Sequence, residues 1–377
     1  MLITKEKLPA MLFFIVSEIM YSFELTYLKL PSAFYNVLLC VTFILFVMSF
    51  LQSQWDMSKL IKVGIMLLIG LGVYLSSKES LYLMLLFSAI VMNNLSYKEA
   101  VKTIFVTRLV MTLLIILFSI VGIIPLNKMV VSKGIFGSAL GYGLGYIHPN
   151  NLAQAIFVLC SLYLCINYDS IKKRKLVVIL LIDAISYEVT KSKTSCIILL
   201  IICMLLFLNN DFTSKIIKKF TMPYLSIVIG LSIFGPMLYT FSTGKLQSIV
   251  YSLNGYLNGR FVNASNMFIS FPITLFGKII NLDYLQRMYG YNVIDNGYVF
   301  LLFDYGIIGF LLIIFLYFYS IRKLIQKNLN VFVLIIVGFL SLGMMENVIR
   351  AMFMNFTMIF WYEFINSQRN NMFEEKL

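Results

Sequence analysis

The chain has 377 residues, of which 60% are hydrophobic and only 12% are charged. A soluble core needs far fewer apolar residues, so this composition excludes a soluble globular protein and indicates a polytopic membrane protein. The formal net charge of +13 does not require a nucleic-acid partner, because basic loops at the cytoplasmic membrane surface account for it.

Continuous apolar runs of bilayer length recur along the chain, which favours transmembrane helices over the short alternating strands of a barrel. We predict an all-α bundle of twelve spans forming one integral membrane domain over residues 1–377. The seventh span is the weakest, because Asp183 and Glu188 interrupt it and a charge near the bilayer centre costs at least ~2.5 kcal/mol. The spans are residues 8–26, 33–52, 59–76, 80–96, 103–124, 150–167, 175–189, 194–210, 221–242, 297–320, 329–347 and 351–366.

Lys and Arg concentrate on alternate loops of this arrangement, as the positive-inside rule requires. The predicted cytoplasmic set holds most of the 30 Lys and Arg residues and includes Arg108 and the run Lys172-Lys173-Arg174-Lys175. Both termini are therefore predicted to be cytoplasmic. The first span contains Glu18 and Glu24 and continues into further spans, so we expect it to stay as an anchor and not to be cleaved as a signal peptide.

The single histidine, His148, follows the glycine-rich stretch 141–145 and opens the run His148-Pro149-Asn150 at the start of a span. Glycines permit close approach of a ligand, and Pro149 suits the first turn of a helix. An imidazole titrates near neutral pH and so suits proton transfer. A lone His in this position is as readily a helix cap or an interfacial residue, and both interpretations stay open.

Two lysines, Lys191 and Lys193, lie at the outer start of the eighth span, where the positive-inside rule disfavours them. A departure from a local rule has a cost, and functional sites are where such costs persist. We therefore name Lys193 as a substrate-binding candidate. The alternative is that both lysines snorkel to the membrane surface.

The long polar excursion over residues 241–296 falls on the outer side of the predicted topology. Its cations alternate with aromatic residues, which suits sugars and phosphates, because aromatic faces pack on sugar rings and a guanidinium grips phosphate oxygens in a fork. Arg260 is the leading catalytic candidate, and Lys278 and Arg287 are substrate-binding candidates. Aromatic and basic residues also anchor proteins near lipid headgroups, and for each aromatic residue this alternative stays open.

Asp295 opens the tenth span in the sequence Asp295-Asn296-Gly297-Tyr298. Its carboxylate either caps the helix or takes a catalytic role, and Tyr298 is a substrate-binding candidate, as is Asn150 in the first turn of the sixth span. The topology places His148, Lys193, Arg260 and Asp295 on one face, which predicts one shared site. Farther along, Glu346 and Arg350 are four residues apart, the spacing of a local ion pair on a helix.

Several of these short motifs together resemble the Wzy-type polysaccharide polymerases of the O-antigen polymerase and ligase superfamily. The resemblance runs from about residue 126 to residue 350, and the order of the motifs and the topology also agree. Lys193 departs from the pattern, because many relatives have Arg after the Ser, and a lysine cannot bind phosphate bidentately there. The motifs are Gly145-Tyr146-Ile147-His148-Pro149-Asn150, Ser192-Lys193-Thr194, Asn258-Gly259-Arg260, and Asp295-Asn296-x-Tyr298 followed by Tyr305-Gly306-Ile307-Ile308-Gly309.

The resemblance implies an extracytoplasmic glycosyltransferase of the bacterial inner or plasma membrane, with a fold similar to the GT-C class. Its substrates would be oligosaccharide repeat units on undecaprenyl diphosphate, polymerised into capsular or O-antigen polysaccharide. A hydroxyl of the incoming unit would attack the anomeric carbon of the growing chain, and the lipid diphosphate would leave. Chain-length regulators and flippases would be its protein partners.

We expect this reaction to need neither a metal nor another cofactor. The outer carboxylates are scattered over separate segments, without the close pair typical of a Mg²⁺ site. The charge for a diphosphate leaving group then has to come from Arg260 first and Lys193 second. His148 is the hypothesised base or acceptor-orienting residue, since an unperturbed His has a pKa of about 6.5, and Asp295 is its rival.

Two other functions share these features. A ligase of the same superfamily, which transfers a finished chain to a cell-surface acceptor, is the closer competitor. A secondary transporter or a lipid-linked sugar flippase would have similar spans and basic loops, but it should place charge at the midplane or show inverted repeats. Neither feature is evident from the sequence.

Overall fold

A computed structural model describes residues 6–132, 137–208, 211–257, 259–291, 293–350, 352 and 354–366. Over these ranges the all-α class is confirmed, apart from one short hairpin. The helices are α1 (Leu8–Glu24), α2 (Ser32–Gln52), α3 (Met57–Ser77), α4 (Ser80–Val91), α5 (Tyr97–Ile120), α6 (Pro149–Ile166), α7 (Lys173–Thr190), α8 (Lys193–Phe207), α9 (Asp211–Phe241), α10 (Gly244–Tyr256), α11 (Arg260–Ser270), α12 (Leu282–Tyr289), α13 (Gly297–Asp304), α14 (Gly306–Gln326), α15 (Asn330–Leu342) and α16 (Tyr362–Ile365), with 3₁₀ helices at Met92–Asn94 and Phe356–Trp361.

Six of the described helices, α2, α3, α5, α6, α9 and α14, are long and apolar enough to cross a membrane. Shorter apolar helices cover residues 80–94, 193–207, 330–342 and 356–365. Each of the twelve predicted spans contains a helix, but a helix of ten to fifteen residues rises only about 15–22 Å and does not cross a hydrocarbon core of about 30 Å alone. Six helices of spanning length are established, and the count of twelve stays a prediction.

The interior of the bundle is packed with aromatic side chains, while the outward faces of its long helices are aliphatic. Tyr82, Tyr317 and Trp361 are fully buried, whereas Leu68 on α3 and Ile227 on α9 are exposed. Such exposed apolar surface would be a liability in water and suits contact with lipid. The packing therefore agrees with the membrane class indicated by the composition.

The predicted tenth span, 297–320, is wrong as a single helix, because the chain breaks into α13 and α14 at Tyr305–Gly306. Gly306 has φ +72°, which a residue with a side chain rarely adopts. The loop before α12 fills the break: the Ile307 N–H donates to the Thr274 carbonyl at 3.0 Å and the Ile308 N–H to the Leu275 carbonyl at 3.0 Å. The backbone groups freed by the break are thus satisfied within the protein.

The predicted eleventh span also ends early, because α15 stops at Leu342 and residues 343–350 are not helical. Glu346 and Arg350 therefore do not form the predicted helical ion pair, and each pairs with a different partner. This segment is tied to the start of α13, where the Gly297 N–H donates to the Gly343 carbonyl at 2.9 Å. Glu346 consequently lies outside the membrane-spanning helices.

Arg108 was predicted to belong to the cytoplasmic charge set, and this prediction is wrong. It lies midway along α5 and is 5% exposed, and its Nε donates to Glu18 Oε2 at 2.7 Å. Glu18, on α1, is fully buried. A charge pair therefore lies inside the bundle, where an unpaired charge would be strongly disfavoured.

A hairpin positions the start of α6. Strand β1 (Lys128–Ser132) pairs antiparallel with β2 (Ser138–Tyr142), and a tight turn follows. Gly145 has φ +92°, the Ile147 N–H donates to the Leu25 carbonyl at 2.9 Å, and Asn127 Nδ2 donates to the Tyr146 carbonyl at 2.9 Å. These contacts fix the backbone that enters His148.

Candidate active site at the start of helix α6

The His148 side chain caps α6. Its Nδ1 accepts a hydrogen bond from the Asn150 N–H at 3.1 Å, so the helix-cap interpretation is confirmed. In a neutral imidazole one ring nitrogen accepts and the other carries the proton. Because Nδ1 accepts here, the proton lies on Nε2, and the free edge of the ring is a hydrogen-bond donor.

Arg260 is the first residue of α11, a helix that forms within the predicted polar excursion. Gly259 precedes it with φ +80°, and Asn254 Oδ1 accepts hydrogen bonds from the N–H groups of Phe261 and Val262 at 3.0 and 3.2 Å. Phe261 packs against α9 at Gly235, where a Cβ atom would collide with its ring. This packing fixes α11, and with it the guanidinium of Arg260.

The Arg260 guanidinium pairs with two carboxylates. Its Nη1 pairs with Asp295 Oδ2, and its Nη2 lies 3.2 Å from Glu346 Oε1. Glu346 Oε1 also accepts from Asn150 Nδ2 at 3.0 Å, and Asp295 Oδ2 accepts from the Tyr291 hydroxyl at 2.8 Å. We call His148, Asn150, Arg260, Asp295 and Glu346 the Arg260 cluster.

The Arg260 cluster joins segments that are far apart in the sequence. The predicted proximity of His148, Arg260 and Asp295 is observed, and Asn150 belongs to the same group. Glu346 was missed as a member, because its spacing from Arg350 suggested a local pair. Glu346 follows closely after the apolar run that forms α15 (Asn330–Leu342). This position was the signal that it could lie with His148, Arg260 and Asp295.

Burial shifts the pKa values of Glu346 and His148 in opposite directions, whereas the charge of Arg260 lowers both. Burial raises the pKa of Glu346, against the opposing charge of Arg260 and the hydrogen bonds from Asn150 and Gln154. Burial also lowers the pKa of His148, and the nearby charge of Arg260 lowers it further. The lowered pKa of His148 favours the neutral imidazole, and the raised pKa of Glu346 favours the protonated carboxyl more than in an ordinary glutamate.

These contacts bear on two of the predicted roles. In this arrangement the unprotonated nitrogen of His148 accepts the Asn150 N–H, and the role of His148 as base or acceptor-orienting residue stays a prediction. Asp295 does not cap α13: Asn296 does, with Oδ1 accepting from the N–H groups of Tyr298 and Val299 at 3.1 Å each. The Asp295 carboxylate is directed to Arg260 instead.

The remaining candidates lie in other surroundings. Tyr298 is fully buried and its hydroxyl donates to the Leu340 carbonyl at 2.7 Å, which makes it a packing residue in this structure. Lys278 lies over the Phe271 ring, with its Nζ 4.8 Å from the ring centre, and Arg287 is exposed on α12. Lys193 is the half-buried first residue of α8, and Asn258 lies outside the described residues.

A second ionic group lies on the same segment as Glu346. Arg350 Nη2 is 3.1 Å from Glu79 Oε1, and Arg350 Nε is 3.7 Å from Asp304 Oδ2. Its guanidinium carbon lies 4.4 Å from the centre of the Phe300 ring. The five residues from Glu346 to Arg350 thus connect the Arg260 cluster to the turn between α3 and α4.

An apolar groove of about 320 Å³ runs between α8, α9 and α15. Ile198, Leu205, Phe220 and Val337 are among its lining residues. At its polar end the Tyr224 hydroxyl and Ser341 Oγ are 2.9 Å apart, and Ser341 precedes Glu346 by five residues. The polar end of the groove therefore lies near the end of α15, the helix that precedes Glu346 in the chain.

Among the residues that the structure describes, no group of three or more His, Cys, Asp or Glu side chains is placed to hold a metal ion. The arrangement offers a half-buried guanidinium, a neutral imidazole N–H and a carboxylate of raised pKa. Comparison of the chain with protein-family models, with curated proteins and with solved structures finds no match.

Proposed function

We propose that the protein is a metal-independent glycosyltransferase on the outer face of a bacterial cell membrane. In this proposal it polymerises oligosaccharide repeat units carried on undecaprenyl diphosphate into capsular or O-antigen polysaccharide, with a GT-C-like arrangement of twelve spans. The observation that carries the proposal is the convergence of His148, Arg260 and Asp295 with Glu346 at one end of α6. These residue types suit transfer away from a diphosphate leaving group.

In the proposed reaction, a hydroxyl oxygen of the incoming unit forms a bond to the anomeric carbon of the growing chain. The bond from that carbon to the phosphate oxygen breaks, and undecaprenyl diphosphate leaves with the electron pair. Glu346 receives the hydroxyl proton, because its raised pKa makes its carboxylate a better proton acceptor than that of an ordinary glutamate. Glu346 therefore replaces His148 as the proposed base.

Arg260 binds the leaving group in this mechanism. In the structure its two Nη atoms face Asp295 and Glu346, so phosphate oxygens have to replace at least one carboxylate on the guanidinium. Replacement at Nη2 releases Glu346 from its cation and makes it a stronger base when substrate is bound. The N–H at Nε2 of His148 then donates to a phosphate or sugar oxygen.

The groove between α8, α9 and α15 suits the hydrocarbon part of this substrate. Its lining is aliphatic and aromatic, and its polar end lies near the Arg260 cluster in the sequence. A prenyl chain has no hydrogen-bonding groups and is compatible with such a lining. We propose that flippases and chain-length regulators act with the protein on the same lipid-linked material.

The test is polymerisation by purified protein from a defined undecaprenyl-diphosphate oligosaccharide, read as a ladder of products. Arg260→Lys should reduce the rate at least tenfold, because a point charge cannot reproduce the fork. Arg322→Lys, the same change at an exposed position on α14, is the matched control. Normal ladders from Arg260→Lys would contradict the site, a ladder abolished by EDTA would contradict the metal-independent mechanism, and a single transfer to a surface acceptor would favour the ligase.

One observation favours a second candidate, a lipid-linked sugar flippase or transporter. Glu18 and Arg108 form a charge pair inside the bundle, and buried charges within membrane helices often mark transport pathways. Protein reconstituted in vesicles distinguishes the two functions. Movement of the lipid-linked oligosaccharide across the bilayer without extension would support transport and contradict the polymerase.

A further inference from the structure

A small polar cavity lies between α1, α5 and α6, on the side of α6 that also carries Gln154. Its polar lining comes from Ser22, Arg108, Tyr146, Asn151 and Gln154. The cavity offers about 10 Å³ to the centre of a water molecule, which is roughly the space that one buried water needs. It separates the Glu18–Arg108 pair from the residues that contact Glu346.

Gln154 connects this cavity to the Arg260 cluster. Its amide hydrogen-bonds the Glu346 carboxylate, which can only accept, so the amide NH₂ faces Glu346. Its Oε1 is buried and accepts no hydrogen bond from the described residues. A buried carbonyl oxygen without a donor is costly, and this one belongs to a side chain that lines the cavity.

The charges of Arg108 and Glu18 determine which kind of molecule can bind in the cavity. The guanidinium of Arg108 disfavours a cation, while Glu18, bound to that guanidinium at 2.7 Å, disfavours an anion. A water molecule is neutral, donates two hydrogen bonds and accepts two. It can therefore donate to Gln154 Oε1 and accept from an N–H of Arg108.

We infer that the cavity is a binding site for one water molecule that links Arg108 to Gln154, which makes Arg108 and Glu18 positioning residues for Glu346. Rotation of the Gln154 side-chain amide by about 180° would exchange its NH₂ and its oxygen. The amide oxygen would then face the Glu346 carboxylate, and the two would repel each other. A water that donates to Oε1 prevents this rotation, and the ion pair with Glu18 holds Arg108 in place to orient the water. The consequence for turnover rests on the proposed function, but the water site does not.

The test measures the titration of Glu346 directly, by infrared difference spectroscopy of the purified full-length protein, with Glu346→Gln to assign the carboxyl band. The other charged or titratable groups around Glu346 are Arg260, His148, Asp295 and Tyr291, and all are left unchanged. Ala155→Val fills the cavity without removing a hydrogen-bonding group, because Ala155 lines it. Ala153→Val is the matched control: Ala153 is equally buried on α6 and does not line the cavity.

We expect Ala155→Val to raise the midpoint of the Glu346 titration by about one pH unit, the worth of one hydrogen bond to a charged group. Ala153→Val should leave the midpoint unchanged. Gln154→Met should reproduce the rise, with Gln52→Met on exposed α2 as its control, so the inference stays testable if one variant does not fold. An unchanged midpoint in both Ala155→Val and Gln154→Met would overturn it.

Polymerisation assays on the same proteins separate this inference from the proposed function. If Glu346 is the base, the acidic limb of the rate profile should move by the same amount in Ala155→Val, whereas a merely structural defect would lower the rate at every pH without moving the limb. An infrared shift in protein that makes no polymer would support the water site and contradict the polymerase.

Discussion

Replacing His148 by Asn and by Ala distinguishes a hydrogen-bond donor from a base. Asn is among the best N-cap residues, and its Oδ1 can accept the Asn150 N–H as Nδ1 of His148 does at 3.1 Å. The Asn side chain also keeps an N–H donor on its other edge. Ala provides neither the acceptor for the cap nor the N–H donor. His148→Asn and His148→Ala therefore differ in these two groups, whereas neither variant has a side chain that can act as a base.

The sizes of the effects follow from these contacts. His148→Ala should lower the free energy of unfolding by about 1 kcal/mol through loss of the cap. It should also slow turnover by about 10²-fold or more if a donor to developing negative charge is lost. His148→Asn should keep stability within a few tenths of a kcal/mol of wild type and should exceed the turnover of His148→Ala by at least about tenfold.

The assay is the product ladder from a defined undecaprenyl-diphosphate oligosaccharide, combined with thermal unfolding in detergent. A histidine whose pKa is lowered on folding contributes stability that is complete above its ordinary pKa of about 6.5 and is lost as the pH falls through the window below that value. His148→Asn should remove this pH dependence. Equal inactivity of folded His148→Asn and His148→Ala would refute the donor role and restore the imidazole as base.

The other predictions concern Glu346, the buried charge pair and Tyr298. Because burial raises the pKa of Glu346, stability should fall as the pH rises from the ordinary carboxyl pKa through the raised one. Glu346→Gln should flatten the melting temperature across that window while reducing turnover about 10²-fold or more; an unchanged pH dependence would contradict the raised pKa. Arg108→Met should cost about 3–5 kcal/mol by leaving Glu18 buried and unpaired, and adding Glu18→Gln should recover most of it; no recovery in denaturation assays would show that the pair is not the cause. Tyr298→Phe should cost about 1 kcal/mol by removing the hydrogen bond to the Leu340 carbonyl without changing KM, and a raised KM would show that Tyr298 contacts substrate.

Much of the helical arrangement could be predicted from the sequence, because an apolar run of bilayer length satisfies its backbone hydrogen bonds by forming a helix. The breaks were less visible. Gly306 lies within a run that is apolar apart from Asp304, and only the loop packed against it shows why the helix stops there. Arg108 lies near the start of another run, where a loop and a helix interior look alike until Glu18 is placed beside it.

Part of the site was also predictable. Alternating topology placed His148, Lys193, Arg260 and Asp295 on one face, and the structure groups His148, Arg260 and Asp295 in the Arg260 cluster. The role of each group depended on contacts that the sequence does not display. The hydrogen bond from the Asn150 N–H to His148 and the burial of Glu346 beside Arg260 are such contacts, and they are the reason why we propose Glu346 in place of His148 as the base.

The irregular stretch after α15 has a consequence for biosynthesis. Its side chains bind Asn150, Arg260 and Glu79, all of which are synthesised earlier, so the stretch can form these contacts only after those three residues are in place. The Arg260 cluster would accordingly be completed only after translation has passed Glu346. A nascent chain that ends before residue 346 would already contain the six described helices of spanning length and would still lack the Glu346 carboxylate that binds Arg260.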